Sequence, residues 1–285
     1  MEYLDLSPGA TFADGTLGLA GHALAAVAHI QPRGRLVACD WDAQMLAIAR
    51  ERLSEAGVEV HLKRCDYRDL PLHARESVGP QSLDGVLLDL GLNNAQIEDP
   101  ERGISFRSEA PLDMRMDREK GEPASAWLNR ATAAEIERVL KEFGDERWAR
   151  RIAQVIVDRR KLNPLRTTAD LVNCIEAAVP PAMRDKRLHP ATRSFQAIRI
   201  WINEELDGLE EAITEIAHEL APNGRMVVLS YHSGEDRAVK HAFRALAQSG
   251  EYEELTRKPL VPSDTEIARN PKSRSAKLRA LRKTS

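Results

Sequence analysis

Ala13-Asp14-Gly15-Thr16-Leu17-Gly18-Leu19-Ala20-Gly21-His22-Ala23 joins a short apolar approach, residues 10–13, to an alanine-rich helical stretch, residues 23–30. The succession of strand, glycine turn and helix predicts a cradle for a cofactor. Glycine tolerates positive φ and lets a ligand lie against bare main chain, while a helix start offers backbone N–H groups with no partner of their own. An ordinary tight strand-to-helix turn would use the same residues, so the loop takes its meaning from the strands after it.

Residues 35–39, Arg-Leu-Val-Ala-Cys, read as a second buried strand ending on Asp40-Trp41-Asp42. In doubly wound sheets an acid at that place takes the ribose hydroxyls of a bound nucleoside. A third strand at residues 58–63 ends near Asp66-Tyr67, and a fourth at residues 83–88 ends at Asp89-Leu90-Gly91. Four strand ends thus bring acids or glycines to one edge. The glycines are spaced G-x-x-G-x-x-G, unlike the G-x-G-x-x-G of dinucleotide binders, and an acid with an aromatic after the third strand suits an adenine amine and ring. A nucleoside cofactor without a pyrophosphate fits this pattern, S-adenosylmethionine foremost.

Composition sets the outer bounds. A chain of 285 residues with 42% hydrophobic content can build a real core in one large or two ordinary domains. The formal net charge is only −3, but residues 267–285 carry seven Lys or Arg and no acid. This reads as a basic tail on a mildly acidic body. Cys39, Cys65 and Cys174 lie far apart with no C-x-x-C pair, which suggests neither a disulfide framework nor a zinc site. No apolar run approaches the ~18 residues needed to span a bilayer, and the N-terminus lacks a signal-peptide pattern. The expectation is a soluble cytoplasmic protein with no membrane association and no bound metal.

Residues 43–56 predict a helix with Met45, Leu46, Ile48, Ala49 and Leu53 on one side, stopped by Gly57. The pattern changes after Leu112, where charged, strand-free sequence leads into helices. Thr132 and Glu135 form a capping-box pattern, Asp145 is placed to cap the next helix, and Thr167 to Asp170 starts a third. The spacing of Phe195, Ile198, Ile202, Leu206, Leu209, Ile213, Ile216 and Leu220 predicts one long helix over residues 190–223. A fifth strand at 225–230, a helix at 235–248 and a strand pair at 252–256 and 277–281 complete the reading. The fold class is α/β, a Rossmann-like sheet from residues 1–112 and 198–285 with an all-helical insertion at 113–197.

Eight motifs, in order, resemble one family. They are Asp14-Gly-Thr-Leu-Gly-Leu-Ala-Gly-His22, Asp84-Gly-Val-Leu-Leu-Asp-Leu-Gly91, Glu101-Arg-Gly-Ile-Ser-Phe-Arg107 and Leu112-Asp-Met-Arg-Met-Asp117, then Phe143-Gly-Asp-Glu-Arg147, His189-Pro-Ala-Thr-Arg-Ser-Phe-Gln-Ala-Ile-Arg199, Tyr231-His-Ser-Gly-Glu-Asp-Arg237 and Asn270-Pro-Lys-Ser-Arg-Ser-Ala-Lys-Leu-Arg279. Nearly the whole chain is similar to the bacterial 16S ribosomal RNA cytosine-N4 methyltransferases. The resemblance implies a class I methyltransferase fold, S-adenosylmethionine as cofactor, and methylation of a decoding-centre cytidine in the small-subunit RNA or a late assembly intermediate. It implies cofactor contacts at Ala20, Gly21, His22, Asp40, Tyr67, Asp89 and Gln96. The family's glycine run is broken here by Leu19 and Ala20, and Asn93 and Asn94 stand where the family usually has small serines.

A cytosine N4 lone pair is delocalised into the ring, so acceptors that grip the N4 hydrogens would free it for attack. Asp89, Asn93 and Asn94, just past the fourth strand, are the candidates; the alternative is that Asp89 binds only cofactor and the asparagines shape a turn. His22 reads either as a general base or as packing beside the methionine end of the cofactor. His232 with Asp236 reads either as part of the base pocket or as a capping turn with a surface acid. Arg147, Arg150, Arg151, Arg159, Arg160, Lys186, Arg187 and Arg193 in the insertion, together with the basic tail, are expected to grip RNA phosphates. A methyltransferase for another nucleic-acid cytosine, or a catalytically silent RNA-binding assembly factor of the same fold, stays open, as does a homodimer.

Overall fold

The computed structural model describes residues 1–185 and 188–284, without the side chains of Asn94 and Glu98. In chain order its strands are β1 (Thr11–Asp14), β2 (Arg35–Asp40), β3 (Glu59–Arg64), β4 (Leu83–Asp89), β5 (Leu220–Ser230), β6 (Tyr252–Glu254) and β7 (Lys277–Lys283). Its helices are α1 (Gly21–Ile30), α2 (Ala43–Arg52), α3 (Leu70–Val78), α4 (Asn94–Glu98), α5 (Ala124–Arg130), α6 (Ala133–Gly144), α7 (Ala149–Arg160), α8 (Thr168–Ala178), α9 (Ala191–Ile202), α10 (Leu209–His218), α11 (Ser233–Gln248) and α12 (Asp264–Arg269). They divide into two compact units, residues Met1–Gly91 with Leu206–Ser285, and residues Leu92–Glu205.

The first unit holds one sheet in the order β3-β2-β1-β4-β5-β7-β6. β1 to β5 pair in parallel, and β7 runs antiparallel between β5 and β6. Successive side chains of a strand go to opposite faces. Phe12, Leu36 and Leu87 therefore join a core with residues of α1 and α2, while Ala13, Val37, Val86 and Leu88 join another with residues of α3, α10 and α11. Burial on both faces is why these strands read as continuous apolar runs rather than as alternation. Each fully buried large side chain, such as Phe12 or Phe243, contributes roughly 1.5–3 kcal/mol.

From β1 the chain winds outward to β2 and β3, then crosses back to lay β4 on the other side of β1. That reversal opens a crevice at the carboxyl ends of β1 and β4, the place where open α/β sheets bind ligands. Asp14 and Asp89 are the last residues of those two strands.

The second unit is helical, its core built around Leu128, Ile136, Leu140, Ile152, Ile175 and Ile198. Capping boxes start α6 at Thr132 with Glu135 and α8 at Thr167 with Asp170. Asp145 does not cap α7. It sits at φ 47° as the left-handed end of α6, and the Glu146 carboxylate accepts from Trp148 N at 3.0 Å instead. The unit is wider than residues 113–197, because the segment before Leu112 is tied into it: Ala110 N donates to Thr168 Oγ1 at 3.1 Å, and Phe106 stacks on His189 at 4.7 Å.

The single helix expected over residues 190–223 is instead α9 and α10, one in each unit. Glu204 and Gly208 take φ of 50° and 65°, which no continuous helix allows. The Asn203 backbone N–H makes the last ladder bond of α9, to Arg199 O at 3.0 Å, while its side chain turns to the chain before α5, accepting from Met116 N at 2.7 Å and donating to Met114 O at 2.8 Å. The apolar spacing continues across this break because each half buries its own face.

Candidate functional site

The glycine turn is set by contacts from three strands. Gly15 N donates to Leu87 O at 3.1 Å, and Leu17 N donates to Cys39 O at 3.1 Å. A Cβ on Gly15 would stand 2.5 Å from Leu88 Cδ2 and 3.1 Å from Tyr67 Cβ, so any larger residue there would have to displace the buried Leu88 side chain. A Cβ on Gly21, the first residue of α1, would meet nothing within 4 Å. The turn is thus packed from below and open at the helix start, which is the shape of a cradle.

Ala20, the residue before α1, is fully buried at φ 61° and ψ 25°. A left-handed conformation costs an L-residue roughly 1–2 kcal/mol. This geometry accounts for a glycine preference at that place and makes Ala20 a strained substitute for it.

Asp40 ends β2 at 9% exposure. Its Oδ2 accepts from Gly18 N at 2.8 Å and its Oδ1 from Asp42 N at 2.9 Å, while Asp42 caps α2 by accepting from Gln44 N at 3.0 Å. Asp40 therefore fixes the glycine turn from the end of β2. Tyr67 lies beneath Gly15 at the start of a 3-10 turn after β3, with the Arg68 guanidinium 4.9 Å from its ring centroid.

Asp89 is held from three sides. Its backbone N–H donates to Thr16 Oγ1 at 2.6 Å, its Oδ1 accepts from Tyr231 Oη at 2.7 Å, and its Oδ2 lies 3.4 Å from His22 Nε2. The contact with Asp89 raises the His22 pKa above its ordinary value, against burial that would lower it. Burial and the Asp89 charge push the Tyr231 phenol well up, so it stays a donor at neutral pH. Asp14, almost fully buried, accepts from Thr16 N at 3.0 Å; burial first, then Asp89 and Asp40, pushes its carboxyl up to about 7.

Sequence patterns do not single out Thr16 and Tyr231 as site residues. Thr16 lies between two glycines of the turn, and a lone hydroxyl there forms no motif of its own. Tyr231 comes directly after β5, just as Asp40 and Asp89 end their strands, and that shared position is the one available signal.

Asn93 and Gln96 belong to the second unit and face each other. Asn93 Oδ1 accepts from Gln96 N at 2.9 Å, Gln96 Oε1 accepts from Asn93 N at 3.2 Å, and Asn93 O accepts from Ile97 N at 3.2 Å. Both carbonyls of Asn93 thus serve the start of α4, which is the turn-shaping alternative. The Asn94 side chain lies outside the described residues, as do Lys186 and Arg187.

Two further expectations are corrected. His232 and Asp236 do not act together: His232 Nδ1 accepts from Glu235 N at 3.3 Å as the cap of α11, while Asp236 Oδ1 accepts from Arg279 Nε at 2.7 Å and Oδ2 from Lys277 Nζ at 3.1 Å. The second half of the basic tail is also not left to RNA for its neutralisation. That half is β7, a strand inside the sheet, where Arg282 pairs with Glu253 at 2.6 Å and Lys283 Nζ donates to Leu220 O at 3.0 Å. The counter-charges come from elements distant in sequence, which a local charge count cannot see.

In the helical unit, Arg160 donates to the Leu128 and Ala131 carbonyls, and Arg193 to Asp145 O at 3.3 Å, so both serve the fold. Arg147, Arg150 and Arg151 are exposed around the start of α7 and have no hydrogen-bond or ion-pair partner among the described residues.

The sequence matches the MraW methylase family over residues 1–284. It is 43% identical over 298 residues to "Ribosomal RNA small subunit methyltransferase H" of Geobacter sp. (strain M21), covering 99% of this chain and 95% of that protein. The protein of the same name from Heliobacterium modesticaldum gives the same figures, and that of Koribacter versatilis is 43% identical over 286 residues, covering 98% of this chain and 90% of its own. A bare glycine turn with acids at the ends of β1, β2 and β4 is a setting for a sulfonium nucleoside, and with this match along its length the chain belongs to the MraW methylase family, methyltransferases that use S-adenosylmethionine.

Proposed function

We propose that this S-adenosylmethionine-dependent methyltransferase of small-subunit ribosomal RNA acts on the exocyclic N4 of a cytidine in the decoding centre, position 1402 in the usual bacterial numbering. The observation that carries the reading is Asp89 at the β1/β4 crevice, its backbone tied to Thr16 and its two carboxylate oxygens turned to Tyr231 and His22. Asp40 and the open start of α1 are the residues that would hold the ribose and the amino-acid end of the cofactor. Tyr67 is placed for the adenosine side, and Gln96 steadies the loop after β4 through its cap with Asn93.

S-adenosylmethionine supplies a sulfonium methyl, an electrophile whose transfer depends mainly on in-line placement and exclusion of water. The work of the protein lies with the base. Asp89 accepts a hydrogen bond from the N4 amine, which concentrates the lone pair on nitrogen, and the proton leaves readily once N4 carries the methyl. Asn93 shapes the turn after β4 through its paired bonds with Gln96. A base amine is reached by unstacking or flipping its nucleotide. Arg147, Arg150 and Arg151 are the phosphate grips proposed for the helical unit.

Two measurements test this. Mass spectrometry of small-subunit RNA from cells with and without the gene should show loss of the N4-methyl mark on deletion; persistence of the mark rejects the assignment. Replacing Arg150 and Arg151 by Glu should weaken RNA binding and flatten its salt dependence by about 0.7–0.9 per lost phosphate contact. An unchanged salt slope would remove α7 from the RNA interface.

A further inference from the structure

We infer that Asp14 makes the cofactor pocket a charge discriminator, favouring a ligand that carries a sulfonium over the neutral thioether left after methyl transfer. The inference rests on the proposed cofactor site and concerns how that site lets its product go.

Three carboxylates meet at the glycine turn. Asp14 ends β1, Asp40 ends β2 and Asp89 ends β4. Asp14 is 1% exposed, and its donors are Thr16 N at 3.0 Å and Thr16 Oγ1 at 3.5 Å. Neither Asp14 nor Asp89 has a lysine or arginine partner among the described residues. The titratable groups that face Asp14 are His22 from α1, Asp89 from β4, and Asp40 and Cys39 from β2. His22 is the one base in that set, and it is 49% exposed against Asp89. Two of these carboxylates, Asp14 and Asp89, are therefore without a lysine or arginine to balance them among the described residues.

A buried carboxylate in such surroundings keeps its proton, because the charged form loses water and meets like charge. The Asp14 carboxyl is accordingly pushed up to about 7. A fixed cation in the pocket does for the neighbouring acids what that proton does. Asp14 then releases its proton to solvent as the cation enters, one positive charge for another. After methyl transfer the ligand sulfur is neutral, Asp14 takes a proton back, and the attraction that held the sulfonium ligand is gone. Both ligands keep the same ammonium and carboxylate, so the sulfonium charge is the only electrostatic difference between them.

The ionised form of Asp14 binds the sulfonium ligand better, and its fraction grows as pH rises toward 7, which sets the sign of the pH dependence. Affinity for S-adenosylmethionine should therefore increase up to about tenfold between pH 6 and pH 8 and level off above, while S-adenosylhomocysteine should change by less than about twofold.

Isothermal titration of the full chain with each ligand at pH 6, 7 and 8, in phosphate and in Tris, counts protons through the difference in buffer ionisation heat. The expected result at pH 7 is release of about half a proton with S-adenosylmethionine, close to none with S-adenosylhomocysteine, and loss of both the release and the pH dependence in Asp14→Asn, which keeps an acceptor for Thr16 N. Equal proton release by the two ligands overturns the inference, as does a release that survives in Asp14→Asn and disappears in His22→Asn. If Asp14→Asn does not fold, the two proton counts of the unaltered protein decide. Failure of the unaltered protein to bind either ligand would overturn the cofactor site itself, and this inference with it.

Discussion

In urea, Asp236→Ala is expected to lose about 3–5 kcal/mol of unfolding free energy, because removing one partner of a buried ion pair leaves the other charge unmatched. Asp236 stands in the first turn of α11 and ties two residues of β7 to that helix: Arg279, 3% exposed, at 2.7 Å and Lys277 at 3.1 Å. Burial alone would raise the Asp236 pKa, but the two cations override it and hold the carboxyl below its usual value. The folded pKa is thus depressed, so this stabilisation is present above about pH 4 and lost as pH falls through the folded value. A double variant, Asp236→Leu with Arg279→Met, should recover most of the loss, since a well-packed apolar pair can replace a buried ion pair at little cost. A loss below about 1 kcal/mol in the single variant would mean that Arg279 reaches water when its partner goes, and β7 would then be far less firmly docked than its geometry indicates.

The partners of that ion pair lie beyond the reach of sequence patterns, whereas much of the sheet does not. Strands β1, β2 and β4 are legible because a parallel strand buried on both faces must be apolar throughout, and because acids at Asp40 and Asp89 mark strand ends where a ligand approaches. The capping boxes at Thr132 and Thr167 are legible because both partners lie three residues apart. Residues 277–281 read as a strand, but the charges of residues 277–283 read as free for RNA because their partners, Asp236, Glu253 and the Leu220 carbonyl, are brought together only by the sheet. The break between α9 and α10 is hidden for a related reason. Periodicity reports which side chains are buried, not whether one core or two bury them, and the decisive contact of Asn203 is with Met114 and Met116, far back in the chain. At the site, Asp40 and Asp89 can be placed by strand order alone, whereas Asp14 emerges only once β1 is seen to end on it. The role of Asn93 cannot, since a serine-like or asparagine side chain after a strand can face a ligand or cap a helix, and only the paired bonds with Gln96 decide for the cap.

Methyl transfer to small-subunit particles should fall by about 10²- to 10³-fold in kcat for Asp89→Ala, the range for deleting a preorganised electrostatic partner of a reacting group. Tyr231→Phe provides the sharper test. It keeps the ring and removes only the hydroxyl that donates to Asp89 Oδ1 at 2.7 Å. A hydrogen bond to a charged group contributes about 1.5–3 kcal/mol. Its loss leaves Asp89 free to turn toward His22, which lies 3.4 Å from the other oxygen, and away from the base. The expected loss is about tenfold or more in kcat, with little change in KM for the RNA, because Tyr231 acts on the position of Asp89 and not on RNA affinity. Cofactor affinity, measured separately by calorimetry, should shift far less in Tyr231→Phe than in Asp89→Ala if Asp89 serves both ligands. Should Asp89→Ala retain near-normal kcat while losing cofactor affinity, Asp89 would be a cofactor ligand alone. The acceptor for the N4 amine would then have to come from elsewhere along the loop after β4.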